Sequence, residues 1–202
     1  MDISMKEFLE ESEYIDFYSD IIQKKAEELF TPNMTEIEKA KKAFEFVRDE
    51  IHHSFDINSD KITAIASDVL KFKTGICHAK ANLLAALLRS QGIPTGFCFQ
   101  HLTLADDESK GYCIHCYNAI MLNGKWIKVD ARGNKKGVNA QFSLEEPILA
   151  FIPRPQYDEY FFDGIFAVPD TKTMKLLRKA KSIQEVALEL PEFLSIQQAV
   201  TE

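Results

Sequence analysis

Apolar residues near the start of the chain recur at the spacing of amphipathic helices. Between residues 6 and 30 they fall near one stripe, which predicts a helix over this range and comprises Phe8, Ile15, Ile22, Ala26 and Leu29. A Thr-Pro-Asn sequence then ends the pattern. Thr35 followed three residues later by Glu38 forms a capping box, which predicts a second helix continuing to about Ile51. A short helix is predicted over residues 65–72.

The longest apolar helix is predicted from Cys77 to Gln91, where leucine and alanine occupy almost every side. Such a helix belongs in the middle of a domain, because every face needs a covering layer. Gly92 and Pro94 follow it and are typical of a helix stop.

The pattern then changes to strands, predicted over residues 95–104, 112–122 and 125–131. Asn123-Gly124 separates the last two, and this dipeptide favours a two-residue hairpin turn. Two helices, near residues 171–181 and 183–190, close the chain, with Ser182 and Glu185 as a second capping box. Helices, then strands, then helices indicate an α+β fold.

The 202 residues carry a net charge of −7, which argues against general nucleic-acid binding. The charge is uneven, because residues 1–60 hold 16 acidic and 7 basic side chains whereas residues 61–141 hold 5 and 11. The basic middle part is either an excess of surface lysines or a site that favours anions, including a thiolate. No signal peptide or membrane span is evident, so we expect a cytoplasmic protein with reduced cysteines.

Cys77 stands at the predicted start of the buried helix. Unpaired backbone N–H groups and the positive end of the helix dipole favour a thiolate there, and the charges of Lys73 and Lys80 could add to this effect. A buried structural cysteine is the alternative, since free cysteines are often core residues.

The hairpin supplies possible partners for this thiol. A two-residue turn places Leu122 opposite Lys125, and strand alternation then puts His115, Tyr117, Asp130 and Arg132 on one face. His115 and Asp130 are diagonal neighbours that their side chains can bridge. They form either a base with its orienting carboxylate or a cross-strand polar pair on a half-exposed sheet. The opposite face predicts a core layer of Ile114, Cys116, Ile120, Leu122, Ile127 and Val129.

Three linked motifs resemble the transglutaminase-like superfamily, particularly its small, single-domain bacterial members. Gly75-Ile76-Cys77 opens a leucine- and alanine-rich helix that closes with Leu-Leu-Arg and then Gly-Ile-Pro. His115-Cys116-Tyr117 stands where the family has His-x-Trp, and Gly124-Lys125-Trp126 leads into Val129-Asp130. The match runs from about Ala64 to Ala140.

The resemblance implies a papain-like α+β core in which the nucleophile helix packs on an antiparallel sheet, with flanking helices. It assigns Cys77 as nucleophile, His115 as general base and acid, and Asp130 as its orienter, and it implies no cofactor and no metal. Two departures are Tyr117 in place of tryptophan and Ala131-Arg132 in place of Pro-Thr.

We therefore predict one domain over residues 1–202, with a helical part (1–60), a catalytic core (61–141) and a C-terminal extension (142–202). The expected activity is cysteine-dependent amide acyl transfer through a thioester on a peptide or other amide-bearing substrate, with hydrolysis favoured over cross-linking. A catalytically inactive binding module is the alternative, and a transferase that uses a small-molecule thioester is a third. No membrane or nucleic-acid partner is expected, and the oligomeric state is not predicted.

The sequence leaves several features of the site open. His53 and Gln100 are candidates for the second donor of an oxyanion hole. The acidic residues 1–35 could cover the site. Six aromatic residues within 151–166 and the basic loop 133–137 could either contact substrate or serve only to pack the chain. Zinc is not expected at Cys113, His115 and Cys116, because alternation sends Cys116 to the opposite face of the strand.

Overall fold

The computed structural model describes residues 3–104 and 111–196. Its helices are α1 (Ile3–Lys6), α2 (Asp20–Leu29), α3 (Glu36–Glu50), α4 (Ala66–Phe72), α5 (Cys77–Arg89), α6 (Thr171–Lys179) and α7 (Ile183–Glu189). Its strands are β1 (His52–His53), β2 (Thr74–Gly75), β3 (Thr95–Thr103), β4 (Tyr112–Leu122), β5 (Lys125–Val129) and β6 (Tyr160–Phe161). This is the predicted α+β class. Within the described residues, every helix is too short or too polar to span a bilayer.

The main sheet is antiparallel, in the order β5-β4-β3-β6, and the predicted hairpin forms its β4–β5 pair. Asn123 and Gly124 both have positive φ angles, of 52° and 77°, which match the twist of a two-residue hairpin. Leu122 pairs with Lys125 as predicted, but the ladder ends at the pair Asn118–Val129. Continued beyond Val129, the predicted register would place Asp130 opposite Tyr117 and Arg132 opposite His115, but both residues lie beyond the end of the strand.

Helix α5 is buried along nearly its whole length and packs against α3, α4, β3 and β4. It meets one face of the sheet through the predicted layer of Ile114, Cys116, Ile120, Leu122, Ile127 and Val129, all in the main core. This arrangement confirms the expected packing of the helix on an antiparallel sheet.

The other face of the sheet is also covered, by a second apolar cluster that includes Phe8, Cys98, Tyr117 and Ile165. This second cluster approaches the backbone of strand β3 closely at Gly96. A Cβ atom added there would lie 2.5 Å from Ile165 and 2.9 Å from Phe8. Glycine is therefore required for this close approach.

The predicted helix over residues 6–30 is wrong in its first half. A 3-10 turn at Glu7–Leu9 is followed by irregular chain up to Ser19, and only α2 is a regular helix. The reason lies in tertiary packing, because Phe8 enters the cluster beneath the sheet whereas Ile15 and Phe17 enter the main core. A continuous helix presents one stripe and would bury it in one core.

Candidate active site

Cys77 is the first residue of α5, and its thiol is half-buried. The preceding residue, Ile76, is extended and acts as the N-cap, so the thiol sits at the positive end of the helix dipole. Strand β2 lies immediately before it and pairs in parallel with β1, which places His53 beside Gly75. A short local pairing thus brings a histidine from elsewhere in the sequence to the nucleophile.

His115 and Asp130 form a buried pair, with His115 Nε2 2.8 Å from Asp130 Oδ2. Asp130 is itself fixed, because Oδ2 accepts a hydrogen bond from the Ala150 N–H and Oδ1 accepts one from the Arg132 N–H. The diagonal relation predicted from the hairpin brings these side chains together although the strand ladder has ended. Since Nε2 is taken by Asp130, His115 Nδ1 is the nitrogen available to the thiol.

The electrostatics of the pair favour an ionised thiol and a protonated imidazole. Burial alone raises the pKa of Cys77, but the charges of His78 and His115 outweigh burial and bring this pKa well below its usual range. Burial alone lowers the pKa of His115, but the charges of Asp130 and Cys77 outweigh it and raise this pKa. The two shifts describe a thiolate–imidazolium pair.

Two further imidazoles surround the thiol. His78 Nδ1 lies 3.4 Å from Cys77 Sγ, and His53 lines the same cavity as Cys77. Burial lowers the pKa of His53, so His53 is neutral near pH 7. His78 is not among the site residues predicted from the sequence, although its place next to the nucleophile was the available signal.

The lysines expected to favour the thiolate lie elsewhere, because neither Lys73 nor Lys80 lines the cavity around Cys77. Lys80 is buried and donates hydrogen bonds to the carbonyls of Ile51 and Arg48, at the end of α3. Burial lowers the pKa of Lys80 to about 7. It ties α3 to the first turn of α5, so its role is in packing the helix.

Cys77 and His115 line one cavity of about 820 Å³. Its walls come from the segments 53–55, 102–104, 113–115, 136–139 and 148–152, together with single residues such as Arg132 and Leu190. None of residues 3–35 lines this cavity, so this described part of the acidic segment does not cover the site. Cys113 lines it too, whereas Cys116 is in the core, which confirms the predicted alternation.

Arg132, one of the departures from the family pattern, joins two loops of the site. Its Nη2 lies 2.8 Å from Asp56 Oδ1, and Lys135 Nζ reaches the same oxygen at 2.7 Å. Asp56 follows His53 in sequence, and Arg132 follows Asp130. The ion pair therefore holds the His53 loop against the loop that carries the carboxylate.

The aromatic stretch after residue 150 has a mixed role. Phe151 lines the cavity and meets the His115 ring edge-on, with centroids 5.1 Å apart and planes at 89°. Phe166, by contrast, is buried in the main core. Phe151 also accepts a hydrogen bond through its carbonyl from Gln100 Nε2. Gln100 does not line the cavity, so of the two oxyanion-donor candidates only His53 lies there.

Solved structures of other proteins are similar to parts of this chain. A structure described as a "Putative Cysteine Protease" from Cytophaga hutchinsonii matches with a TM-score of 0.53 and 21% identity, covering 65% of this chain and 43% of that one. A "TGase" structure matches with a TM-score of 0.33 and 13% identity, covering 64% and 41%. This chain thus spans less than half of either protein, and the first likeness concerns the fold. No curated protein matches the chain.

A family model also matches the chain. The model of the transglutaminase-like superfamily matches residues 23–131, which is more than half of the chain and includes Cys77, His115 and Asp130. The matched range also contains α5 and the β4–β5 hairpin. The chain therefore belongs to the transglutaminase-like superfamily.

Proposed function

We propose that this protein is a cysteine-dependent amidase or peptidase that acts through a thioester. The observation that carries the proposal is the convergence of Cys77 and His115 at one cavity, with Asp130 bonded to the far side of the imidazole. A nucleophile, a base and an orienting carboxylate in this relation form the arrangement used for covalent acyl transfer.

In the first step, the Cys77 thiolate attacks the carbonyl carbon of an amide. The oxyanion that develops is stabilised by the Cys77 backbone N–H at the start of the helix. The C–N bond then breaks, and His115 gives its proton to the leaving amine. The product of this step is a thioester on Cys77.

In the second step, water attacks the thioester carbonyl while His115 accepts a proton from it. The C–S bond breaks, which releases the carboxylic acid and restores the thiolate–imidazolium pair. Hydrolysis is preferred to amine transfer in this proposal because no feature of the sequence marks an acceptor site. The alternative, an inactive binding module, has no use for an activated thiol.

The proposal predicts that Cys77 is alkylated by iodoacetamide at pH 6 and that His115→Ala slows this reaction about tenfold. Loss of the imidazolium returns the thiol toward a pKa of about 8.5, and the smaller thiolate fraction is partly offset by higher intrinsic nucleophilicity. Peptide mass spectrometry across pH 5–10 measures the rate at each cysteine.

Cys113 is the internal control, because it lines the same cavity and burial raises its pKa to about 12. It should stay unmodified at pH 6 in both proteins. A Cys77 profile that titrates near pH 8.5 and is indifferent to His115 would refute the activated thiol and favour the binding module.

A further inference from the structure

Of the charged side chains that line the cavity, Arg132, Arg154 and Glu159 form ion pairs, whereas Lys136 is exposed. Arg132 is buried and forms a bidentate ion pair with Asp56. A substrate group that used this guanidinium would have to compete with a carboxylate that is already in place. Asp56 stays ionised, because Arg132 and Lys135 hold its pKa below the usual range despite partial burial.

A second ion pair lies in the cavity wall, between Arg154 and Glu159. The buried Glu159 carboxylate accepts hydrogen bonds from the Thr103 N–H and from the Arg154 N–H and guanidinium, at 2.8–3.1 Å. Burial opposes ionisation of Glu159, but these bonds outweigh it and lower the pKa to about 2. The hydrogen bonds of Glu159 hold strand β3 against the segment after residue 150.

Most of the remaining wall is apolar, and much of it is exposed. Four large apolar side chains on the cavity expose between 36 and 84% of their surface, namely Phe55, Leu104, Ile148 and Ile152. Others line it more deeply, including Leu102, Ile114, Val138 and Leu190. Exposed apolar side chains around a concave site are typical of a binding surface for an apolar group.

This apolar wall is continuous with the candidate catalytic thiol, because both belong to one cavity. Whatever Cys77 attacks must therefore lie beside these side chains. We propose that the substrate carries an extended apolar group next to the amide that Cys77 attacks. This inference rests on the proposed function and adds the chemical class of its substrate.

The test uses haloacetamides, which report on Cys77 without a known substrate. A series of N-alkyl iodoacetamides, from unsubstituted to N-octyl, and an N-phenylethyl member are compared by the second-order rate of Cys77 alkylation at pH 6. Rates are divided by those for glutathione. Each methylene moved fully from water into an apolar site contributes about fourfold, so with partial burial we expect N-octyl to gain tenfold or more.

The phenylethyl arm distinguishes an aromatic side chain from a linear acyl chain. A gain in either arm supports the inference, and the larger gain identifies the shape that fits. A flat series, with Cys77 still reactive toward iodoacetamide, would overturn the substrate class and leave the proposed function intact. A Cys77 inert to every member of the series would overturn both.

Matched variants locate the effect. Ile152 lies on the cavity and is 84% exposed, whereas Leu188 lies on α7 away from the cavity and is 88% exposed. Ile152→Glu should reduce the octyl gain severalfold, and Leu188→Glu should leave it unchanged. Neither position is buried, so both variants should fold. Equal effects of the two substitutions, or none from Ile152→Glu, would contradict the assignment of the apolar wall.

Discussion

Asp130→Asn is expected to lower amide turnover by about a thousandfold or more, because both oxygens of this carboxylate accept hydrogen bonds from N–H donors. An amide has only one acceptor oxygen, so its NH₂ group would face His115 or the Arg132 N–H. The imidazole would lose the charge that supports its protonated form and would adopt the wrong tautomer. Turnover of apolar acyl anilides measures the effect.

Asp170→Asn is the matched control for loss of a buried carboxylate. Asp170 is as deeply buried as Asp130, but it accepts hydrogen bonds from Thr173 and Ser195 away from the cavity. Its substitution should destabilise the fold and leave the turnover per folded molecule close to wild type. An Asp130→Asn protein that is folded and turns over within tenfold of wild type would contradict the assigned role.

Arg89→Met is expected to lower the free energy of unfolding by about 3 kcal/mol. The buried Arg89 guanidinium donates hydrogen bonds to the backbone carbonyls of Glu10, Thr95 and Ala167, at 2.7–3.1 Å. It thus joins the N-terminal segment, the start of β3 and the chain after Phe166 to the end of α5. Hydrogen bonds to charged donors contribute about 1.5–3 kcal/mol each, and the avoided burial of the guanidinium offsets part of this loss.

Urea unfolding followed by circular dichroism measures the change. Arg178→Met provides the comparison, because Arg178 forms an exposed ion pair with Glu13, which is expected to contribute less than about 1 kcal/mol. If the two variants unfolded at the same urea concentration, the bracing role of Arg89 would be wrong.

Local patterns predicted the parts of the fold that local chemistry determines. The capping box at Thr35 and Glu38 forms as expected, with both of its hydrogen bonds. Asn123-Gly124 determines the hairpin register, and that register brings His115 to Asp130. The hairpin register was therefore enough to predict that His115 and Asp130 meet.

Other parts of the site depend on contacts between distant segments. His53 reaches the thiol through the short β1–β2 pairing, and Phe151 reaches His115 from an irregular segment. Periodicity contains no signal for either contact. The prediction of one helix over residues 6–30 was wrong for a related reason, since the apolar residues of this segment are divided between two cores.

Intact-mass detection of an acyl group on Cys77 tests the central claim most directly. Wild-type protein and Cys77→Ala are each mixed with an apolar acyl anilide and quenched in acid. The account predicts a mass increase equal to the acyl group in wild type, located at Cys77, removed by neutral hydroxylamine and absent from the variant. Anilide cleavage that persists in Cys77→Ala, or an acyl group found on another residue, would contradict it.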